Sequence, residues 1–250
     1  MPSTFHVTTQ LDRPAPGRLG VAVHAAVYAL IADVRPSLAA GLHGAQVNPL
    51  SVGLTRRAGF GGVLGHDGRT LQFRVACADD ALLPALREIL SPGQIPTADH
   101  DELRGRVVGA DERHTPYDLL GDIPLDCRLS FPAPTLLKSG DVFVDRPSSA
   151  LLLHAAVRRW QAFAPESVPE DAWSWVHEHV ASSEEDIRSV LVSAPKQPRR
   201  RQAAFTGSLC LSFRPSPEGR WLARAAQLLT FTGAGVKTMY GLGEVVTGPV

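Results

Sequence analysis

"AFTGSLCLSF" (Ala204–Phe213), "EGRWLARAAQLLTFTG" (Glu218–Gly233) and "YGLGEVVTG" (Tyr240–Gly248) follow one another near the C-terminal end of the chain, and their order decides the fold. The first is strand-like, the second has helical spacing and stops at a glycine, and the third reads as a closing strand. Upstream, "LDCRLSFPAPTLL" gives a strand from Leu125 to Phe131, "PSSALLLHAAVRRWQAFA" a helix entered at Pro147 and Ser148, and "DIRSVLVSAP" a further strand. The order is β-α-β-β-α-β. The first half repeats it with "FHVTTQL", "GVAVHAAVYALIADV", "VNPLSVGLT", "TLQFRVACA", "DDALLPALREIL" and "LRGRVVGA". The expected fold class is α+β, with two tandem ferredoxin-like (RRM-like, βαββαβ) domains over residues 1–122 and 123–250.

The 250 residues are 44% apolar, which suits a water-soluble protein with one or two cores. No apolar run reaches the roughly 20 residues of a membrane span, and the N-terminus lacks a secretory pattern. Cys77, Cys127 and Cys210 lie far apart, as expected for buried thiols in a reducing cytoplasm. The net charge of zero hides an asymmetry. Ten acids lie between Asp79 and Leu125, whereas Val190–Arg224 carries Lys196, Arg199, Arg200, Arg201, Arg214, Arg220 and Arg224 against Glu218 alone. With seven arginines against three aspartates in Met1–Ala78 as well, basic ends and an acidic middle suit one polyanion-binding face, although surface arginines are usually only solvated.

Between the last helix and last strand, "GAGVKTMYGLG" places Gly233, Gly235, Gly241 and Gly243 around Lys237. A phosphate-binding P-loop needs a glycine before the lysine, where Val236 stands, and it follows a strand rather than a helix. The dinucleotide fingerprint fails likewise. A helix C-cap at Gly233 and a bulged strand explain one or two of the glycines, leaving the others open.

The segment "FTGSLCLSF", a helix, then "FTGAGVKTMYGLGEV" resembles the endoribonucleases that cut CRISPR repeat transcripts into guide RNAs, in the RAMP superfamily. The family's strand, F-x-x-P-T and helix ending in R-W are matched by Phe131, Pro134, Thr135, Arg159 and Trp160. Its leucine-histidine, short loop and K-P-F-S strand are similar to "LHGAQVNPLSVGLT". Where the family carries lysine, this chain carries Asn48, followed by Pro49, Leu50 and Ser51.

The resemblance implies metal-independent cleavage by the RNA's own 2′-hydroxyl, giving 2′,3′-cyclic phosphate and 5′-hydroxyl ends, with no cofactor. Such chemistry requires a base, an acid and a cation near the crowded phosphorus. His43 is the expected catalytic residue, on a glycine-flanked turn after the first helix, with Tyr28 second and His24 in reserve. Asn48, Ser51, Arg56, Arg57, Arg199, Arg200, Arg201, Gly233, Gly235, Lys237, Gly241 and Gly243 are the expected RNA-binding set, with Phe60 a candidate for base stacking. His177 and His179 make a poor metal pair at their spacing. CRISPR repeat RNA is the expected partner, with other effector subunits and a second copy of the chain as further candidates. Two rival readings are a non-catalytic RNA-holding subunit of a CRISPR effector and a ferredoxin-like binding module that takes no RNA.

Overall fold

The computed structural model describes residues 1–54, 64–65, 67–93, 103–121, 124–194 and 197–250. The first half runs β1 (Ser3–Leu11), α1 (Leu19–Val34), α2 (Pro36–Gly44), β2 (Leu50–Gly53), β3 (Thr70–Cys77), α3 (Leu83–Ile89) and β4 (Gly105–His114). The second runs β5 (Asp126–Thr135), β6 (Leu137–Ser139), β7 (Val142–Val144), α4 (Ser149–Phe163), α5 (Ala172–Glu178), β8 (Val180–Ala194), β9 (Gln197–Phe213), α6 (Pro217–Gln227), α7 (Leu229–Thr232) and β10 (Val246–Pro249).

The main sheets are antiparallel, ordered β2-β3-β1-β4 and β10-β5-β9-β8. Counting the strands of each sheet in chain order, the first lies between the third and the last and the second is at the edge, which is the ferredoxin-like arrangement. β5 shows why the sequence folds this way. Its alternate residues Cys127, Leu129, Phe131, Ala133 and Thr135 are buried, so one strand face enters the core. Trp160 of α4 is fully buried there and meets Tyr117 and Trp221 edge-on, at centroid separations of 5.5 and 5.7 Å. The helix starts are set by side-chain caps: Ser148 accepts from the Leu151 N–H and Ser216 from that of Gly219.

Two expectations are corrected. His43 does not sit on a turn after the first helix. Pro36 nucleates the separate helix α2, and His43 occupies its last turn. The closing strand begins only at Val246, because left-handed backbone at Gly241 and Gly243 interrupts any strand earlier. Among the described residues no helix is long and apolar enough to cross a membrane.

The halves are joined through the C-terminal connection. Ser51 Oγ donates to the Phe231 carbonyl (2.8 Å), Arg74 Nη1 to that of Thr230 (2.6 Å), and Thr238 Oγ1 to that of Leu50 (3.3 Å). α7 and the glycine-rich segment after it therefore lie against β2 and β3 of the first sheet.

Candidate functional site

Helix α1 buries Val23, Ala26, Val27, Tyr28, Leu30 and Ile31, and it places half-buried His24 one turn before Tyr28, beside the glycine-rich segment. The His24 ring stacks on Tyr240 at 4.0 Å and 29°, and meets Tyr28 at 4.6 Å. Tyr28 in turn meets His43 of α2 edge-on at 5.1 Å and 82°. Lys237 Nζ lies 5.8 Å from the centre of the Tyr240 ring. Four rings thus form a row from the exposed imidazole of His43 to the exposed cation of Lys237. The approach is close: a Cβ at Gly20 of α1 would stand about 2.1 Å from the Tyr240 carbonyl oxygen.

Asn48 joins this row by hydrogen bonding. Its Oδ1 accepts from the Leu50 N–H at 2.8 Å, and its Nδ2 donates to the Tyr28 hydroxyl at 2.9 Å. Burial raises the Tyr28 phenol pKa and the Asn48 bond offsets part of this shift. The Tyr240 phenol is also raised, by burial and by its neighbour Tyr28.

The short motifs of the second half converge on the glycine-rich segment. The Pro134 carbonyl accepts from the Gly243 N–H and the Leu136 carbonyl from that of Val236, both at 2.9 Å. Arg159 Nη2 donates to the Gly235 carbonyl at 3.2 Å. The F-x-x-P-T run and the arginine of R-W are therefore straps that hold this segment against the first sheet.

That packing corrects the reason given for the glycines. Gly233, Gly241 and Gly243 are buried, and the N–H groups of Gly233 and Gly243 are spent on protein carbonyls. A Cβ at Gly235 would stand 2.1 Å from the Leu136 carbonyl oxygen, and one at Gly243 would stand 2.0 Å from that of Ala234. The glycines let the segment fold onto its own chain, with positive φ at all four. Gly235, half-buried, and Lys237, exposed and left-handed at φ 66°, are the parts open to a ligand.

Ser51 is likewise buried with its hydroxyl committed to Phe231, so it is not open to RNA as expected. Arg199, Arg200 and Arg201 are exposed at the start of β9, where Arg201 pairs with Ser193 near the end of β8. Arg56, Arg57 and Phe60 lie outside the described residues. Among the described residues no group of three or more His, Cys, Asp and Glu could hold a metal ion. Sequence reasoning missed Tyr240, the link between His24 and Lys237, although an aromatic among glycines beside the lysine was a usable signal.

Two ferredoxin-like units in tandem, with the last helix–strand connection folded onto the first unit, give the chain a double ferredoxin-like fold, similar to that of a RAMP protein binding different RNA substrates (98% of this chain and 99% of that one, TM-score 0.64, 13% identity). Residues 129–245 match the family of CRISPR-associated endoribonuclease Cas6. Over 99% of its length the chain is similar in fold to a Cas6 product complex (99% of that chain, TM-score 0.76, 22% identity). It is similarly close to Thermus thermophilus Cas6 (99% of this chain and 98% of that one, TM-score 0.70, 21% identity). The product of a Cas6-related gene from Pyrococcus furiosus follows at TM-score 0.66 and 10% identity, with 99% of each chain covered. None of the curated proteins matches in sequence. The resemblance read from the sequence is borne out.

Proposed function

We propose that this protein is an endoribonuclease that cuts CRISPR repeat RNA, with His43 as its catalytic residue and Tyr28 beside it. The 2′-oxygen forms a bond to phosphorus as the bond to the 5′-oxygen breaks. The 2′-hydroxyl proton leaves to a base and the 5′-oxygen takes one up, yielding a 2′,3′-cyclic phosphate and a 5′-hydroxyl. The RNA supplies its own nucleophile, so no metal-bound hydroxide is needed for the attack, and on this reading cleavage proceeds in EDTA. The observation that carries this reading is the row of rings joining exposed His43 to the segment bearing Lys237. Solved structures of this fold include a RAMP protein binding different RNA substrates and a Cas6 histidine-to-alanine mutant, which supports an RNA substrate and a histidine of consequence.

On this reading residues 1–122 carry the imidazole and residues 123–250 the RNA-gripping segment. Lys237 and Gly235 contact the RNA backbone, and Arg199, Arg200 and Arg201 add sequence-independent attraction. His43→Ala should abolish cleavage of the cognate repeat in EDTA while leaving binding within a few-fold; undiminished cutting would remove His43 from the mechanism. Asn48, in place of the family's lysine, favours a second reading, an RNA-holding subunit. Binding without any cyclic-phosphate product would select it.

A further inference from the structure

We infer that Asn48 is a positioning residue that acts through Tyr28, fixing the phenol as a hydrogen-bond donor toward the RNA. This inference rests on the catalytic reading above. The Leu50 N–H donates to Asn48 Oδ1 at 2.8 Å, which fixes the amide's orientation and leaves Nδ2 facing the Tyr28 oxygen at 2.9 Å. An amide NH₂ donates and does not accept. The Tyr28 oxygen receives that bond, and its single hydrogen therefore points to another acceptor. Burial keeps the phenol neutral, so Tyr28 offers a proton-bearing hydroxyl rather than a base.

A directed donor suits an oxygen on which negative charge grows, such as a non-bridging phosphate oxygen or the departing 5′-oxygen. It does not suit the 2′-hydroxyl, which must lose its proton. Tyr28 is thereby assigned to the phosphate side, and proton abstraction falls to His43. A lysine at position 48 would put its charge on the phosphate directly; asparagine brings no charge and instead aims its neighbour.

The test is a double-mutant cycle on single-turnover cleavage at saturating protein, with RNA affinity measured in parallel. Asn48→Ala and Tyr28→Phe should each slow cleavage about 10-fold or more, at the low end for a positioned group, with affinity changed less than about 3-fold. The double variant should be no slower than Tyr28→Phe. Multiplying losses, or a weakened affinity in Asn48→Ala, would show Asn48 acting on the RNA itself and overturn the inference. Asn48→Asp, of the same size, can accept the Tyr28 hydrogen and turn it from the RNA, and should be slower than Asn48→Ala.

A readout without RNA is the NMR titration of ¹³C-labelled tyrosine. Asn48→Ala should raise the Tyr28 pKa, because the lost bond favoured the phenolate; an unmoved titration would overturn the coupling. A wild-type protein that binds repeat RNA without cutting it would overturn the catalytic reading and this inference together. An active enzyme with multiplying losses would overturn only the latter.

Discussion

Arg74 of β3 and Glu244, just beyond the glycine-rich run, face each other in a buried ion pair, Nε to Oε1 at 3.4 Å, with side chains 5% and 1% exposed. Gly53 of β2 makes the room: a Cβ there would stand 2.6 Å from the Glu244 carboxylate and 2.9 Å from the Arg74 guanidinium. Arg74→Met removes a cation from a buried carboxylate and should destabilise the protein by about 3–5 kcal/mol. Adding Glu244→Gln should restore part of the loss in urea unfolding. Equal losses in single and double variants would show that the pair itself matters little.

Gly235→Ala should cost at least about 2 kcal/mol, because φ is 77° and the new methyl would press on the Leu136 carbonyl. Gly41→Ala is the control. That glycine lies within α2 with nothing within 4 Å of its would-be Cβ, so alanine should stabilise by roughly 0.5–1 kcal/mol. Thermal unfolding of the two variants should move in opposite directions.

Lys237→Ala tests the exposed cation. If Lys237 meets one phosphate of a single strand, its loss should flatten the slope of log affinity against log salt by about 0.7. The same titration with an unrelated RNA should flatten equally, since a phosphate contact carries no sequence information. An unchanged slope would place Lys237 away from the RNA.

Alkaline pH should weaken the fold. Cys77 and Cys127 are fully buried, and burial pushes their thiols from 9.0 up to about 12. Above pH 9 the unfolded chain releases protons that the folded chain retains, so stability falls as pH rises from 9 toward 12. Each thiol should cost up to about 1.4 kcal/mol per pH unit in that window. Denaturant midpoints measured from pH 7.5 to 10 should drop more steeply in the wild type than in a Cys77→Ala, Cys127→Ala variant.

What the sequence made legible was periodic. Alternation along Asp126–Thr135 and helical spacing along Leu19–Val34 each report burial of one face, and the element order follows from them. His43 and Tyr28, placed by resemblance, do lie side by side. Helix α2 was missed because "PSLAAGLHG" is short and rich in small residues, with only Leu42 buried, so its period is faint. The glycines were misread for a different reason. Local sequence says that a backbone approaches something closely, but the partner carbonyls at Leu136 and Ala234 come from long-range and loop geometry that no local pattern encodes.

The contact between Gly20 and the Tyr240 carbonyl reaches beyond one protein's stability. A chimaera that grafts this C-terminal half onto another first half needs a glycine at position 20 there, or Tyr240 loses its seat. The constraint falls on position 20 and is imposed from 220 residues further along the chain, by a carbonyl that belongs to the backbone. A gene split between the halves would encode two pieces, neither of which could assemble the row of rings alone.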